Sequence, residues 1–153
     1  DLQSFLNSLG AGVRGAGSST ITVEGGRLLS GGEFHIIGDR IVAATLLSAG
    51  AAAGGRVRLR GVDWRHLATV LSVFHQAGCR VESRLEYVEL ERDRWVPLRG
   101  APTIRTAPYP GFPTDAQAPV MAALAASDVE VERFGIYEPS LNDIFVVKVG
   151  EDE

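Results

Sequence analysis

A chain of 153 residues is long enough for one domain, and a domain of that length buries roughly 70% of the surface its unfolded chain exposes. Hydrophobic residues make up 45% of it and charged residues 22%, proportions of soluble globular proteins that indicate neither disorder nor a membrane class. A net charge of −4 with scattered basic residues argues against nucleic-acid binding, and the longest weakly polar run, Ile41 to Ala53, falls short of the roughly 20 apolar residues that cross a bilayer.

The N-terminal stretch DLQSFLNSLG has neither the basic nor the apolar region of a secretory signal. Leu2, Phe5, Leu6 and Leu9 instead recur at helical spacing and stop at Gly10, which can close a helix in the left-handed region. Two short strands, about 11–14 and 20–24, flank the turn GAGSS at 15–19. FHIIG at 34–38 reads as a further strand, and Asp39 stands where an N-cap belongs before the helix IVAATLLSAGAAA, which Gly54 and Gly55 end.

RVRLRGV at 56–62 alternates as a half-buried strand whose arginines, Arg56, Arg58 and Arg60, share one solvated face. Asp63 caps the next helix, in which Leu67, Val70, Leu71 and Phe74 form one apolar stripe. After Gly78, RVESRLEYVELER reads as one bent strand or a hairpin, and WVPLRGAPTIRT as extended chain. A rigid loop, TAPYPGFPTD at 106–115, leads into a helix at Ala116 to Ala126, where Pro119 is tolerated in the first turn. DVEVERFGIYE then alternates as a strand, and Ser140 caps a last helical segment, LNDIFVVKV. The single cysteine, Cys79, has no partner for an internal disulfide, which agrees with a reducing compartment, and reads as a small buried residue at a helix end.

The element order repeats. Helix, glycine and hairpin in LQSFLNSLGAGVRGAGSSTITVEG match LATVLSVFHQAGCRVESRLEYVELE, with Leu2 on Leu67. Likewise GDRIVAATLLSAGAAAGGRVRLRG matches TDAQAPVMAALAASDVEVERFG, with Asp39 on Asp115. The implied fold class is α+β, with helices packed on one side of mixed sheets.

DLQSFLNSLGAGVRGAGSSTITVEGG, DRIVAATLLSAGAAAGG and above all RTAPYPGFPTDAQA resemble the enolpyruvyl transferases, specifically the UDP-N-acetylglucosamine 1-carboxyvinyltransferase family of peptidoglycan synthesis. The resemblance covers residues 1 to about 126. It implies βαβαββ-type repeat units of an inside-out α/β barrel, cytoplasmic location, and transfer of the enolpyruvyl group of phosphoenolpyruvate to the 3′-hydroxyl of UDP-N-acetylglucosamine. By the same resemblance Asp115 accepts the hydroxyl proton, Asp39 and Arg40 face the reaction centre, and Arg105, Thr114 and Asp115 contact substrate. Asp115 and Asp39 also suit helix capping, and Arg40 and Arg105 also suit surface charges. The resemblance calls for no cofactor and no metal, and implies neither a nucleic-acid partner nor membrane insertion.

The family pattern is broken in places. Val42 replaces the acid of a DRIE motif and Pro119 replaces a glutamine. The family's mobile loop, with its Cys or Asp acid, and its phosphate-gripping Arg/Lys cluster lie in segments this chain does not contain. The resemblance therefore implies a partial transferase, inactive alone, that pairs with a companion chain or with copies of itself.

From residue 127 to 153 the sequence is similar to the C-terminal end of ATP-binding subunits of ABC exporters, above all at EPSLNDIF, 138–145. No GxxxxGK[ST] phosphate loop accompanies it. The implied organisation is a transferase-like segment, 1–126, with a strand–helix tail, 127–153, packed into the same domain. The alternative reading is a non-catalytic fusion, fragment or interaction module linked to an ABC transporter ATP-binding protein.

Overall fold

The computed structural model describes residues 1–100 and 103–127. The expected strand at 128–138, the Ser140 cap and the last helix lie outside the described residues. Eight-tenths of the chain thus builds four helices and five strands, in the order α1 (Leu2–Ser8), β1 (Gly12–Arg14), β2 (Thr22–Glu24), α2 (Arg40–Ala53), β3 (Gly55–Arg60), α3 (Ala68–Gln76), β4 (Arg80–Ser83), β5 (Tyr87–Arg92) and α4 (Gln117–Ala125). Short 3₁₀ turns at Trp64–Leu67 and Thr114–Ala116 lead into α3 and α4.

The core lies between α2, α3 and α4 and one face of a three-stranded sheet with strand order β3-β5-β4. Val57 and Leu59 of β3, Val81 of β4 and Val88 and Leu90 of β5 share that face, as the period of two in a strand requires. Opposite them sit Leu47 of α2, the stripe Leu67, Val70, Leu71 and Phe74, and Val120 and Leu124 of α4. All helices that contribute to this core pack on one face of the sheet. Each fully buried Leu, Val or Phe contributes about 1.5–3 kcal/mol by leaving water.

The other face is charged and self-neutralised. Arg58 Nε donates to Glu89 Oε2 at 2.6 Å, Arg56 Nη2 reaches both oxygens of Glu91 at 3.1 Å, and the Arg58 guanidinium lies 4.3 Å from the Tyr87 ring centre. The arginine stripe therefore faces glutamates in cross-strand register and offers no net positive stripe to a polyanion. Glu89 holds the Arg58 guanidinium above its ordinary value by direct hydrogen bonding.

The second sheet is the two-stranded hairpin β1-β2, which α1 precedes. Helix α1 buries none of its residues completely, and Leu2 is 69% exposed. Asn7 ties it to β1 instead, its side-chain amide donating to Val13 O and accepting from Val13 N, both at 2.8 Å. The expected order of helix, glycine and hairpin thus occurs twice, as α1-β1-β2 and α3-β4-β5, with Gly10 and Gly78 both left-handed.

Three expectations are corrected. FHIIG forms no strand with the described residues: no ladder among them partners it, and Ile36 and Ile37 stay 73% and 47% exposed, so its apolar alternation finds neither backbone pairing nor a face to cover there. The described strands pair antiparallel within their sheets, not as mixed sheets: β1-β2 and β4-β5 are hairpins, and β3 runs antiparallel to β5, from which α3 and β4 separate it along the chain. Asp115 does not cap the helix that follows: Pro113 and Ala116 occupy the two N-cap positions, neither with a side-chain cap, and the carboxylate sits inside the 3₁₀ turn.

Candidate functional site

Asp39 and Arg40 open α2. The Asp39 Oδ1 atom accepts from Ile41 N at 2.7 Å and Val42 N at 3.4 Å, satisfying two of the N–H groups that a helix start leaves without partners. Its Oδ2 makes none of the described hydrogen bonds. Just before it, Gly38 lies so close to the Gly61 carbonyl that no side chain fits there, which seats the start of α2 beside the end of β3.

The turn 105–115 is built from its own prolines and held by few bonds. Ala107 N donates to Phe112 O at 3.0 Å and Gly111 N to Pro108 O at 2.7 Å. Thr106 and Phe112 form an isolated parallel bridge, and the Tyr109–Pro110 peptide is cis. Phe112 is buried in the core and anchors the loop, while Thr114 and Asp115 at its exit are exposed. Arg105 is exposed one residue before the bridge.

These segments meet. The Arg40 guanidinium carbon lies 5.7 Å from the centre of the Tyr109 ring, and the His66 ring approaches the same ring edge-on at 5.8 Å between centres. α2 also packs against the 3₁₀ turn that carries Thr114 and Asp115. The fold therefore brings the Asp39–Arg40 helix start, the segment 63–66 and the proline turn to one place, with Tyr109 at their meeting point.

Asp63 fixes the third segment. Its carboxylate accepts from Arg65 N at 2.9 Å and pairs with the Arg65 guanidinium, whose hydrogen bonds hold it down at about 2 against the ordinary aspartate value. This pins the turn that presents His66 to Tyr109. Neither Tyr109 nor His66 was singled out by the sequence reading; the signals available were the position of Tyr109 within PYPGFPTD and of His66 three residues after a capping Asp.

Chemically, the place combines two exposed carboxylates, a guanidinium without a carboxylate partner among the described residues, and an aromatic face. Proton acceptance and anion contact are within its means. No group of three or more His, Cys, Asp or Glu able to hold a metal gathers among the described residues, and no described helix is long and apolar enough to cross a membrane. An open cleft lined by Gly55, Arg56, Gly78, Arg80 and Arg92 lies at the opposite end of β3 and contains none of the sequence-predicted site residues. Beside that cleft, burial pushes the Cys79 thiol up from its ordinary value, which suits a packing residue and not a nucleophile.

Comparison with known proteins follows the same residues. The sequence profile of the family EPSP synthase (3-phosphoshikimate 1-carboxyvinyltransferase) matches residues 1–136. The chain is 44% identical over 119 residues to UDP-N-acetylglucosamine 1-carboxyvinyltransferase of Vibrio campbellii, covering 77% of this chain and 28% of that protein. It is 46% identical over 126 residues to the protein of that name from Coxiella burnetii, covering 80% and 28%. It is 40% identical over 139 residues to UDP-N-acetylglucosamine 1-carboxyvinyltransferase 3 of Caldanaerobacter subterraneus, covering 90% and 33%. The chain spans a third or less of the length of these relatives. The likeness of the tail to ABC ATP-binding subunits is not among what these matches show. By the match of its first 136 residues, the chain belongs to the EPSP synthase (3-phosphoshikimate 1-carboxyvinyltransferase) family and carries part of an enolpyruvyl transferase domain.

Proposed function

We propose that this chain supplies one part of the reaction centre of a UDP-N-acetylglucosamine 1-carboxyvinyltransferase of peptidoglycan synthesis, in the cytoplasm. The observation that carries the reading is the meeting of the Asp39–Arg40 helix start with the PYPGFPTD turn across the Tyr109 ring. In this reading Asp115 takes the proton of the sugar 3′-hydroxyl as its oxygen bonds to the enolpyruvyl carbon of phosphoenolpyruvate, and phosphate is the group that leaves. Asp39 and Arg40 face the reacting atoms, and Arg105 and Thr114 contact the substrate.

A general base works when it is held within about 2.6–3.2 Å of its proton. The proline turn supplies that rigidity here: Phe112 is buried, and the loop has little conformational freedom left to lose. The chain alone does not turn over, because transition-state charge needs a cationic clamp and an acid that lie in the remainder of such a transferase. The repeated helix–hairpin order fits βαβαββ units of an inside-out barrel. Residues 1–126 form the transferase-like segment, and the sequence from 127 to 153 is of ABC-subunit type.

A second reading, a non-catalytic fusion or interaction module that associates with itself or a companion chain, draws on the exposed apolar residues Leu2, Ile21, Val23, Leu28 and Leu29. Titration of UDP-N-acetylglucosamine into the chain and into its Asp115→Ala variant separates the two. Binding at millimolar concentration or below that the variant alters supports the transferase reading. No binding to the unmodified chain overturns it, and release of phosphate from phosphoenolpyruvate overturns the statement that the chain alone is inactive.

A further inference from the structure

We propose that Tyr109 is a positioning residue that aims the Arg40 guanidinium across the mouth of the turn, with His66 in edge contact steadying the ring; this rests on the transferase reading only for what Arg40 is aimed at. Here Asp39 Oδ1 accepts from Ile41 N and Val42 N, and the carboxylate forms no described ion pair with Arg40. Among the described residues no carboxylate lies within ion-pair distance of Arg40, and its described partner is the Tyr109 ring, 5.7 Å from the guanidinium carbon.

A ring holds a cation differently from a carboxylate. The attraction of a π face is worth about 0.5–1 kcal/mol at an exposed site, and it leaves the positive charge unneutralised. A carboxylate partner would cancel the charge that an incoming phosphate or carboxylate needs to meet. Tyr109 therefore gives Arg40 a direction without giving it a counter-ion. The ring is itself steadied, because His66 meets it edge-on at 5.8 Å and is fixed in turn by the Asp63–Arg65 pair in the same short segment. Three elements distant in sequence thus converge on one side chain that is 51% exposed and free to carry out this role without being part of the core.

The test compares Tyr109→Leu and Tyr109→Phe in the 153-residue chain, with the backbone amide spectrum as a control for folding. In the unmodified protein the Arg40 δ-methylene and Nε–H signals are expected to be displaced by the ring current. Tyr109→Leu returns them to ordinary arginine positions, Tyr109→Phe keeps them displaced, and His66→Ala reduces the displacement. Arg40 signals that are the same in the unmodified chain and in Tyr109→Leu overturn the proposal. In the same samples, titrated UDP-N-acetylglucosamine binds Tyr109→Leu about two- to fivefold more weakly, the equivalent of the cation–π attraction, and binds Tyr109→Phe as the unmodified chain. Equal affinity of Tyr109→Leu and the unmodified chain overturns the link to substrate. Absence of binding to the unmodified chain overturns the transferase reading, and the Arg40 signals then decide the positioning of Arg40 by themselves.

Discussion

At the scale of single residues, Asp63 carries more than its exposure suggests. It caps the turn before α3 and pairs with Arg65, which holds its carboxyl at about 2. A folded value below the ordinary one near 3.8 means that its stabilisation is fully present above pH 4 and is lost as pH falls toward 2. Asp63→Ala is expected to cost about 1 kcal/mol in urea unfolding at neutral pH, with the gap to the unmodified chain closing between pH 4 and pH 2. Cys79 behaves in the opposite manner. Buried, with its thiol pushed up, it is expected to resist a thiol reagent in the native protein and to react at the rate of a free cysteine in denaturant. Equal rates in the two states would show that the Gly78–Arg80 corner opens readily.

At the scale of elements, α2 owes its position to a glycine. A methyl group at Gly50 would overlap Val57 Cγ2 of β3, so helix and strand approach more closely there than any other residue allows. Gly50→Ala raises helix propensity by about 1 kcal/mol, yet overpacking costs about 1–3 kcal/mol, and a net loss of thermal stability is the expected result. The proline turn has an analogous constraint. A Cβ on Gly111 would stand 2.5 Å from Ala107 Cβ and 2.9 Å from the Pro108 carbonyl, so Gly111→Ala is expected to open the turn. The readout is a shift of the Tyr109 and Phe112 ring signals with the α2 and β5 amides unchanged.

At the scale of the whole molecule, Arg92 joins parts that the core alone does not. Its side chain lies on the same side of β5 as Val88 and Leu90, donates from Nη2 to Ala52 O at the end of α2 at 3.0 Å, and donates from Nη1 to Val96 O and Ser127 Oγ. Its buried Nε has no described partner. The ends of α2 and α4 and the segment after β5 are thus gathered on one guanidinium. By contrast, α1 and the β1-β2 hairpin bury little, with Val13 the one hydrophobic residue of that region that is buried. Native-state hydrogen exchange is expected to be slowest in α2 and β5 and fast in α1, because opening α1 exposes little new apolar surface. Slow exchange in α1 at the global rate would mean that a partner surface covers it in solution.

The helices and the hairpins could be read from the chain because their signals are local. Asp39 and Asp63 were legible as caps from their place before apolar periodicity, and Gly54 and Gly78 as stops, since capping and left-handed backbone depend on immediate neighbours. The stripe Leu67, Val70, Leu71 and Phe74 was legible as core for the same reason. The family, too, was legible, because the PYPGFPTD motif is contiguous. Tertiary structure alone decided the rest. FHIIG carries a strand's residues without a partner to pair with among the described residues, and Asp115 fell inside a 3₁₀ turn that leads into α4, which leaves the N-cap positions to Pro113 and Ala116 without a side-chain cap. The Arg40–Tyr109–His66 stack joins positions up to 69 residues apart. Side-chain geometry of that kind depends on how α2 and the proline turn pack, a through-space fact that spacing along the chain does not encode.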